Sequence, residues 1–325
     1  MRAAAVVVSS MIVAKQPQVE LRHLHRVFDR THAVNDVSFE VEAGQVFGYI
    51  GPNGAGKTTS MRILATLDEP TSGDALVDGF SVVDDPERVR RRLGFMPDYF
   101  GTYQNVNVRE YLDFFARAYG LHGTERKRAL GYVMDFTGLD VLADKPIDGL
   151  SKGMKQRLCL GRTMIHDPSV MVLDEPAAAL DPRARIELRE MIARLADAGK
   201  AVLISSHILT ELAEICDRVA IIEQGRLLAV GSVAEISARV QTDATVRLRV
   251  VRDADTLAKW LAARTDVDQV RVDDRSVAFR HAGDDDAQAQ LLREIVDADF
   301  RVIEFGVRSK TLEDVFLEVT KGRVQ

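Results

Sequence analysis

QVFGYIGPNGAGKTTSMRILATL, residues 45–67, runs from an apolar segment through a glycine-rich turn into a helical pattern. Val46 to Ile50 carries no charge on either face, as in a strand buried on both sides of a parallel sheet. Gly51 to Thr59 then matches GxxxxGK[ST], the phosphate-binding loop, and it stands where that chemistry requires, after a strand and before a helix. The loop Gly51, Pro52, Asn53, Gly54, Ala55 and Gly56 lets backbone N–H groups wrap phosphates. Lys57 neutralises the β and γ charges, the Thr58 hydroxyl is placed to ligate Mg²⁺, and Thr59 completes the loop at the start of the helix.

Two further apolar runs, SVMVL before Asp174 and AVLIS before Ser206 and His207, also read as buried parallel strands. DPRARIELREMIARLADAG follows as a helix with Ile186, Leu188, Met191, Ile192 and Leu195 in an apolar stripe. This is a layered α/β sheet, and such sheets bind ligands beyond the carboxyl ends of their strands. In VMVLDEP, Asp174 is placed to hold Mg²⁺, normally through water, and Glu175 to polarise an attacking water as general base. His207 ends the third strand and, by itself, reads as an ordinary surface or core histidine.

Between about Asp98 and Gly149 the pattern turns helical, with Tyr111, Leu112, Phe115 and Tyr119 and then Leu130, Val133, Met134 and Leu139 at helix spacing. It closes on LSKGMKQR, Leu150 to Arg157, where Ser151 reads as an N-cap and Lys152 and Gly153 make the helix start a ready anion site. Beyond about Gln241 the order becomes strand, helix, two strands around DDR, helix, strand, the βαββαβ ferredoxin-like unit, followed by a last helix in TLEDVFLEV.

The 325 residues suffice for one large or two smaller domains. Forty-three Lys plus Arg against 49 Asp plus Glu give a net charge of -6, with no basic block to neutralise a phosphodiester backbone, so nucleic acid is not expected as a partner. Cys159 and Cys216 sit in apparently helical, partly apolar patterns and lack the spacing of a metal or redox pair, so two reduced thiols are expected. No uncharged run approaches the roughly 18 to 20 residues of a spanning helix. The start, MRAAAVVVSSMIVAKQPQ, superficially resembles a signal peptide, but residues 1–18 are expected to be a disordered tail or to precede a true start at Met11.

Taken together the motifs resemble the ATP-binding subunit of ABC transporters, over residues 19–236. GPNGAGKTT matches Walker A, VMVLDEP Walker B with its following glutamate, AALDP at Ala178 to Pro182 the D-loop, and SSH the switch histidine, His207. LSKGM resembles the signature sequence, with Lys152 and Met154 where glycine and glutamine are commonest. The resemblance implies a P-loop ATPase domain with a helical subdomain at about 98–160, and the ferredoxin-like unit forms an accessory domain at 241–325. It implies ATP and Mg²⁺ as ligands, and a head-to-tail dimer in which Ser151, Gly153 and Asp181 contact the nucleotide of a second ATP-binding subunit. Phe28 matches the aromatic that stacks on adenine, and Glu175 and His207 become the catalytic pair. Asp98 stands where the family carries a glutamine that touches the metal and the attacking water. It can still ligate a hard cation but brings negative charge, which puts the hydrolysis rate in question.

The expected role is a cytoplasmic ATPase, peripheral on the inner face of the membrane, that powers an exporter through separate membrane-spanning subunits. The export direction rests on the resemblance of TLEDVFLEVT to the end of drug, antibiotic and polysaccharide export ATPases. The alternatives are an importer ATPase, whose appended domain would read as many short barrel strands, and a nucleotide-binding regulatory module that does not hydrolyse.

Overall fold

The computed structural model describes residues 16–99, 101, 105–208, 214–240 and 244–308. They divide into two compact units, the first running to His207 and including Ile215–Leu227, the second continuing from Leu228. The first holds β1 (Val19–Phe28), β2 (Thr31–Val41), β3 (Val46–Ile50), α1 (Lys57–Leu64), β4 (Ser72–Val77), β5 (Phe80–Ser81), α2 (Pro86–Arg92) and β6 (Leu93–Met96). It continues with α3 (Val108–Ala118), α4 (Gly123–Thr137), α5 (Lys152–Met164), β7 (Val170–Leu173), α6 (Pro182–Asp197), β8 (Ala201–Ser206) and β9 (Arg218–Glu223). The strand β10 (Arg226–Ser232) leads from the first unit into the second.

The three expected buried strands are neighbours. β3, β8 and β7 pair in parallel, with β9 outside β3 and β6 outside β7, and every residue of β3, β7 and β8 is buried. Their carboxyl ends therefore lie side by side, which brings Gly51, Asp174 and His207 to one edge of the sheet. A second, antiparallel sheet of order β2-β1-β4-β5 carries Phe28 at the end of β1. α6 buries Leu188, Met191, Ile192 and Leu195 as the stripe predicts, but Ile186, near the start of the helix, is 48% exposed.

The helical insertion starts later than its pattern suggests. Residues 97–99 are irregular, and α3 begins only after Asn107, whose side chain accepts from Glu110 N–H while the Glu110 carboxylate accepts from Asn107 N–H. Such a reciprocal cap contributes about 1 kcal/mol. α5 extends past residue 160 to Met164. Cys159 lies on α5 as expected, whereas Cys216 sits in the irregular segment before β9; both are buried free thiols.

The second unit continues with α7 (Val233–Val240), β11 (Ala244–Val250), α8 (Ala254–Ala262), β12 (Val267–Asp273), β13 (Ser276–His281), α9 (Asp285–Asp297) and β14 (Val302–Arg308). From β11 onward this is the predicted βαββαβ order, in an antiparallel sheet β12-β13-β11-β14. Strand alternation explains its core. Val246, Leu248 and Val250 of β11 and Val277 and Phe279 of β13 face inward against Leu257, Leu261, Leu291 and Ile295 of the two helices.

At the amino end, the tail expected at residues 1–18 lies outside the described residues over positions 1–15. Gln18, assigned to that tail, is tied down instead: its N–H donates to Val41 O, and its Oε1 accepts from Ala201 N–H at 3.0 Å. Met11 and the last helix expected in TLEDVFLEV also lie outside the described residues.

Candidate active site

The glycine loop between β3 and α1 is tight. Gly56 precedes α1 at φ +105, and a Cβ there would stand 2.3 Å from the carbonyl oxygen of Ala33, so no other residue fits. Asn53, Gly54 and Thr58 are exposed at the loop mouth, while Gly51, Ala55 and Gly56 are buried beneath them, with Pro52 and Thr59 half-buried. Lys57 is only 5% exposed, and its ammonium donates to Gly51 O at 2.6 Å and Pro52 O at 3.2 Å.

β7 ends on Asp174, which is 1% exposed. Burial pushes its carboxyl above the ordinary carboxylate range, hydrogen bonds from Ser205 and Thr58 pull it down, and the charges of Glu175 and Asp98 push it up again. Asp98 is thus exposed to solvent yet electrostatically coupled to Asp174. Glu175 follows at φ +48, a left-handed conformation rare for a side chain of this size. Its Oε1 lies 3.4 Å from Lys57 Nζ and accepts no hydrogen bond among the described residues, while Oε2 lies 2.9 Å from His207 Nδ1. The Glu175 carboxylate therefore stands between a buried cation and an imidazole.

Mg²⁺ fits this set as a partial cage. Thr58 and Asp174 are already bonded to one another, and the cluster of Asp174, Glu175 and Asp98 is rich in negative charge and oxygen donors. Among the described residues no three His, Cys, Asp or Glu side chains form a closed metal site. One or two carboxylates and a hydroxyl, completed by phosphate oxygens, is the usual protein share of a Mg²⁺ site.

Two helix starts meet nearby. Ser151 Oγ accepts from Met154 N–H at 3.3 Å at the start of α5, and Asp181 Oδ1 accepts from Ala184 N–H at 2.9 Å at the start of α6. They approach closely because Gly153 has no side chain: a Cβ there would be 3.1 Å from that of Ala184. Arg157 of α5 pairs with Glu187 of α6 farther along. Ser151, Lys152 and Asp181 remain exposed. Phe28 is 43% exposed rather than a core residue, with the Arg26 guanidinium 4.4 Å from its ring centroid.

Two contacts escaped the sequence reading. Ser205 Oγ donates to Asp174 Oδ1 at 2.6 Å and accepts from Glu175 N–H at 2.8 Å. Gln156, buried on α5, donates from Nε2 to Pro176 O at 2.7 Å and ties the signature helix to the turn after Glu175. The only signal for either was a polar residue in an apolar run, AVLIS for Ser205 and the inward side of α5 for Gln156.

A phosphate-binding loop at the end of one buried parallel strand, with an acidic pair at the end of another, defines a P-loop nucleoside triphosphatase. The ABC transporter family profile matches residues 34–178, and a profile for the C-terminal domain of DrrA1-3-like ATP-binding proteins matches residues 231–320. The uncharacterized ABC transporter ATP-binding protein YxlF of Bacillus subtilis (strain 168) is 33% identical over 93% of this chain and 99% of its own length. The daunorubicin/doxorubicin resistance ATP-binding protein DrrA of Streptomyces peucetius is 32% identical over 93% and 92%. A solved ATP-binding subunit of an ABC transporter superposes with a TM-score of 0.63 at 30% identity, over 69% of this chain and 93% of that one. The chain belongs to the ATP-binding subunits of ABC transporters. It is an ABC-type ATPase, converting ATP and water to ADP and phosphate.

Proposed function

We propose that this chain powers export. Two ATP-binding subunits, this one with a copy of itself or with a related chain, close head to tail on ATP, and hydrolysis reopens them to drive separate membrane-spanning subunits. The residues divide the work as follows. Phe28 stacks on adenine, and the loop from Gly51 to Thr59 wraps the phosphates. Lys57 exchanges its loop carbonyls and Glu175 for the β and γ oxygens. Thr58, Asp174 and Asp98 would hold Mg²⁺, which would neutralise phosphate charge. Glu175 takes a proton from the attacking water, and His207 steadies its carboxylate. Ser151, the Gly153 N–H and Asp181 face the partner's nucleotide, adding a second set of donors around the γ-phosphate.

The observation that carries this reading is the line Lys57, Glu175, His207, with contacts of 3.4 and 2.9 Å and the loop mouth above it. A non-hydrolysing module would have no use for a base held in this way, so the regulatory alternative is disfavoured. Export, rather than import, is supported by the second unit: its order is βαββαβ, it matches the DrrA-like profile, and the relative DrrA is named for drug resistance. No described helix is long and apolar enough to cross a membrane, in keeping with a subunit that works from the inner face through membrane partners. The domain division follows the same lines, with the ATPase at 19–236 and an accessory ferredoxin-like domain at 241–325 that supports or regulates the dimer. Steady-state turnover tests the chemistry: Glu175→Gln should bind ATP as wild type does and lose hydrolysis by at least about a hundredfold. Wild-type turnover in that variant would remove Glu175 as the base.

A further inference from the structure

We infer that Ser205 is a positioning residue for hydrolysis: its hydroxyl bridges the two acids at the end of β7 and fixes the main chain from which Glu175 projects. The inference rests on the reading of Glu175 as the base. Ser205 is fully buried near the end of β8, in a strand otherwise made of Ala201, Val202, Leu203 and Ile204 up to that point. A hydroxyl in such a place is costly unless it is bonded, and this one is bonded twice. Its proton goes to Asp174 Oδ1 at 2.6 Å, and a lone pair accepts Glu175 N–H at 2.8 Å, so donor and acceptor are both used without conflict.

The second of these bonds bears on the reaction. Glu175 holds φ +48, a conformation that costs a non-glycine residue about 1 kcal/mol or more and persists only where the surroundings fix it. Side chains two residues apart along a strand share a face, so β8 presents Ser205 and, just beyond its last residue, His207 toward the same neighbour. Ser205 holds the Glu175 backbone and His207 holds its carboxylate, at 2.8 and 2.9 Å. Two fixed points leave the carboxylate little freedom. Gln156 at Pro176 O and Ala178 N–H at Glu175 O hold the turn that follows, but Ser205 is what holds the Glu175 N–H itself, and without it that donor has no partner among the described residues.

The test compares Ser205→Ala, which deletes the hydroxyl, with Ser205→Thr, which keeps it. Turnover, affinity for a fluorescent ATP analogue and the thermal midpoint are measured for each. Ser205→Ala should lose about tenfold in kcat, as outer-shell deletions do, while analogue affinity stays within about twofold and the midpoint stays near wild type. Ser205→Thr should recover most of the rate. The inference is overturned if Ser205→Ala keeps wild-type kcat, if kcat and analogue affinity fall in the same proportion, or if folded Ser205→Thr is no faster than Ser205→Ala. Should Ser205→Ala not fold, Ser205→Cys, similar in size and a weak donor, carries the same expectation of reduced kcat at unchanged affinity. Glu175→Gln in the same assay separates the two readings. If it turns over normally, the base assignment fails; if it is dead while Ser205→Ala is normal, only this inference fails.

Discussion

Asp98 stands at the position where the sequence resemblance leads one to expect a glutamine. Its carboxylate is exposed, but its charge reaches Asp174, so it adds to a site already crowded with negative charge. An extra charge in a partly solvated site is worth about 1 kcal/mol, roughly fivefold in an equilibrium. Asp98→Gln keeps an oxygen ligand but removes the charge, so it should raise turnover at saturating Mg²⁺ by about that factor while raising the Mg²⁺ concentration needed for half-maximal activity. Asp98→Ala should lose the ligand together with the charge. A Mg²⁺ titration of the three proteins decides the matter, since superimposable curves would place Asp98 outside the catalytic shell. The motif residues were legible in sequence because each is named by a short pattern with a chemical reason. Ser205 was not, because one hydroxyl in an apolar strand looks like a neutral substitution until the neighbouring strand is placed beside it.

At the scale of elements, the buried parallel strands and the βαββαβ order were readable because periodicities of two and 3.6 residues differ plainly. The start of α3 was not: Pro97 and Gly101 break a helix there, but the helical spacing from Tyr111 onward was extended back across them, and the Asn107 and Glu110 cap stands out only once the helix is seen. The seam between α5 and β7 adds a testable energy. His166 stacks on Tyr119 at 3.8 Å between centroids, and its Nε2–H donates to Leu93 O at 3.2 Å. Burial lowers the ring from its ordinary 6.5 to about 4. Above 6.5 the ring is neutral in both states; as pH falls from there, the unfolded chain gains a proton that the folded one refuses until about 4. The full stability is present above 6.5 and is lost across this window, by roughly 3 kcal/mol at its acid end. His166→Phe, which keeps a ring against Tyr119 and cannot titrate, should show a flatter decline in thermal midpoint between those limits. Parallel curves for the two proteins would assign the acid sensitivity elsewhere.

For the molecule as a whole, the two units have separate cores, and the groups assigned to nucleotide chemistry all lie in the first. Removing residues from Gln241 onward should therefore leave ATP affinity within about twofold in a folded truncation, while any contribution to dimer stability is lost. A folded truncation that no longer binds nucleotide would show that the second unit takes part in the site. The central claim is that ATP closes two such subunits around the line of Lys57, Glu175 and His207 and that hydrolysis parts them. It is tested most directly by the mass of Glu175→Gln in solution, measured by size-exclusion chromatography with light scattering, with and without ATP and Mg²⁺. The account predicts a monomer without nucleotide and a stable dimer with it, while wild type, turning over, returns to monomer. If Glu175→Gln binds ATP and stays monomeric, alone and with a related ATP-binding subunit supplied as partner, the account is contradicted.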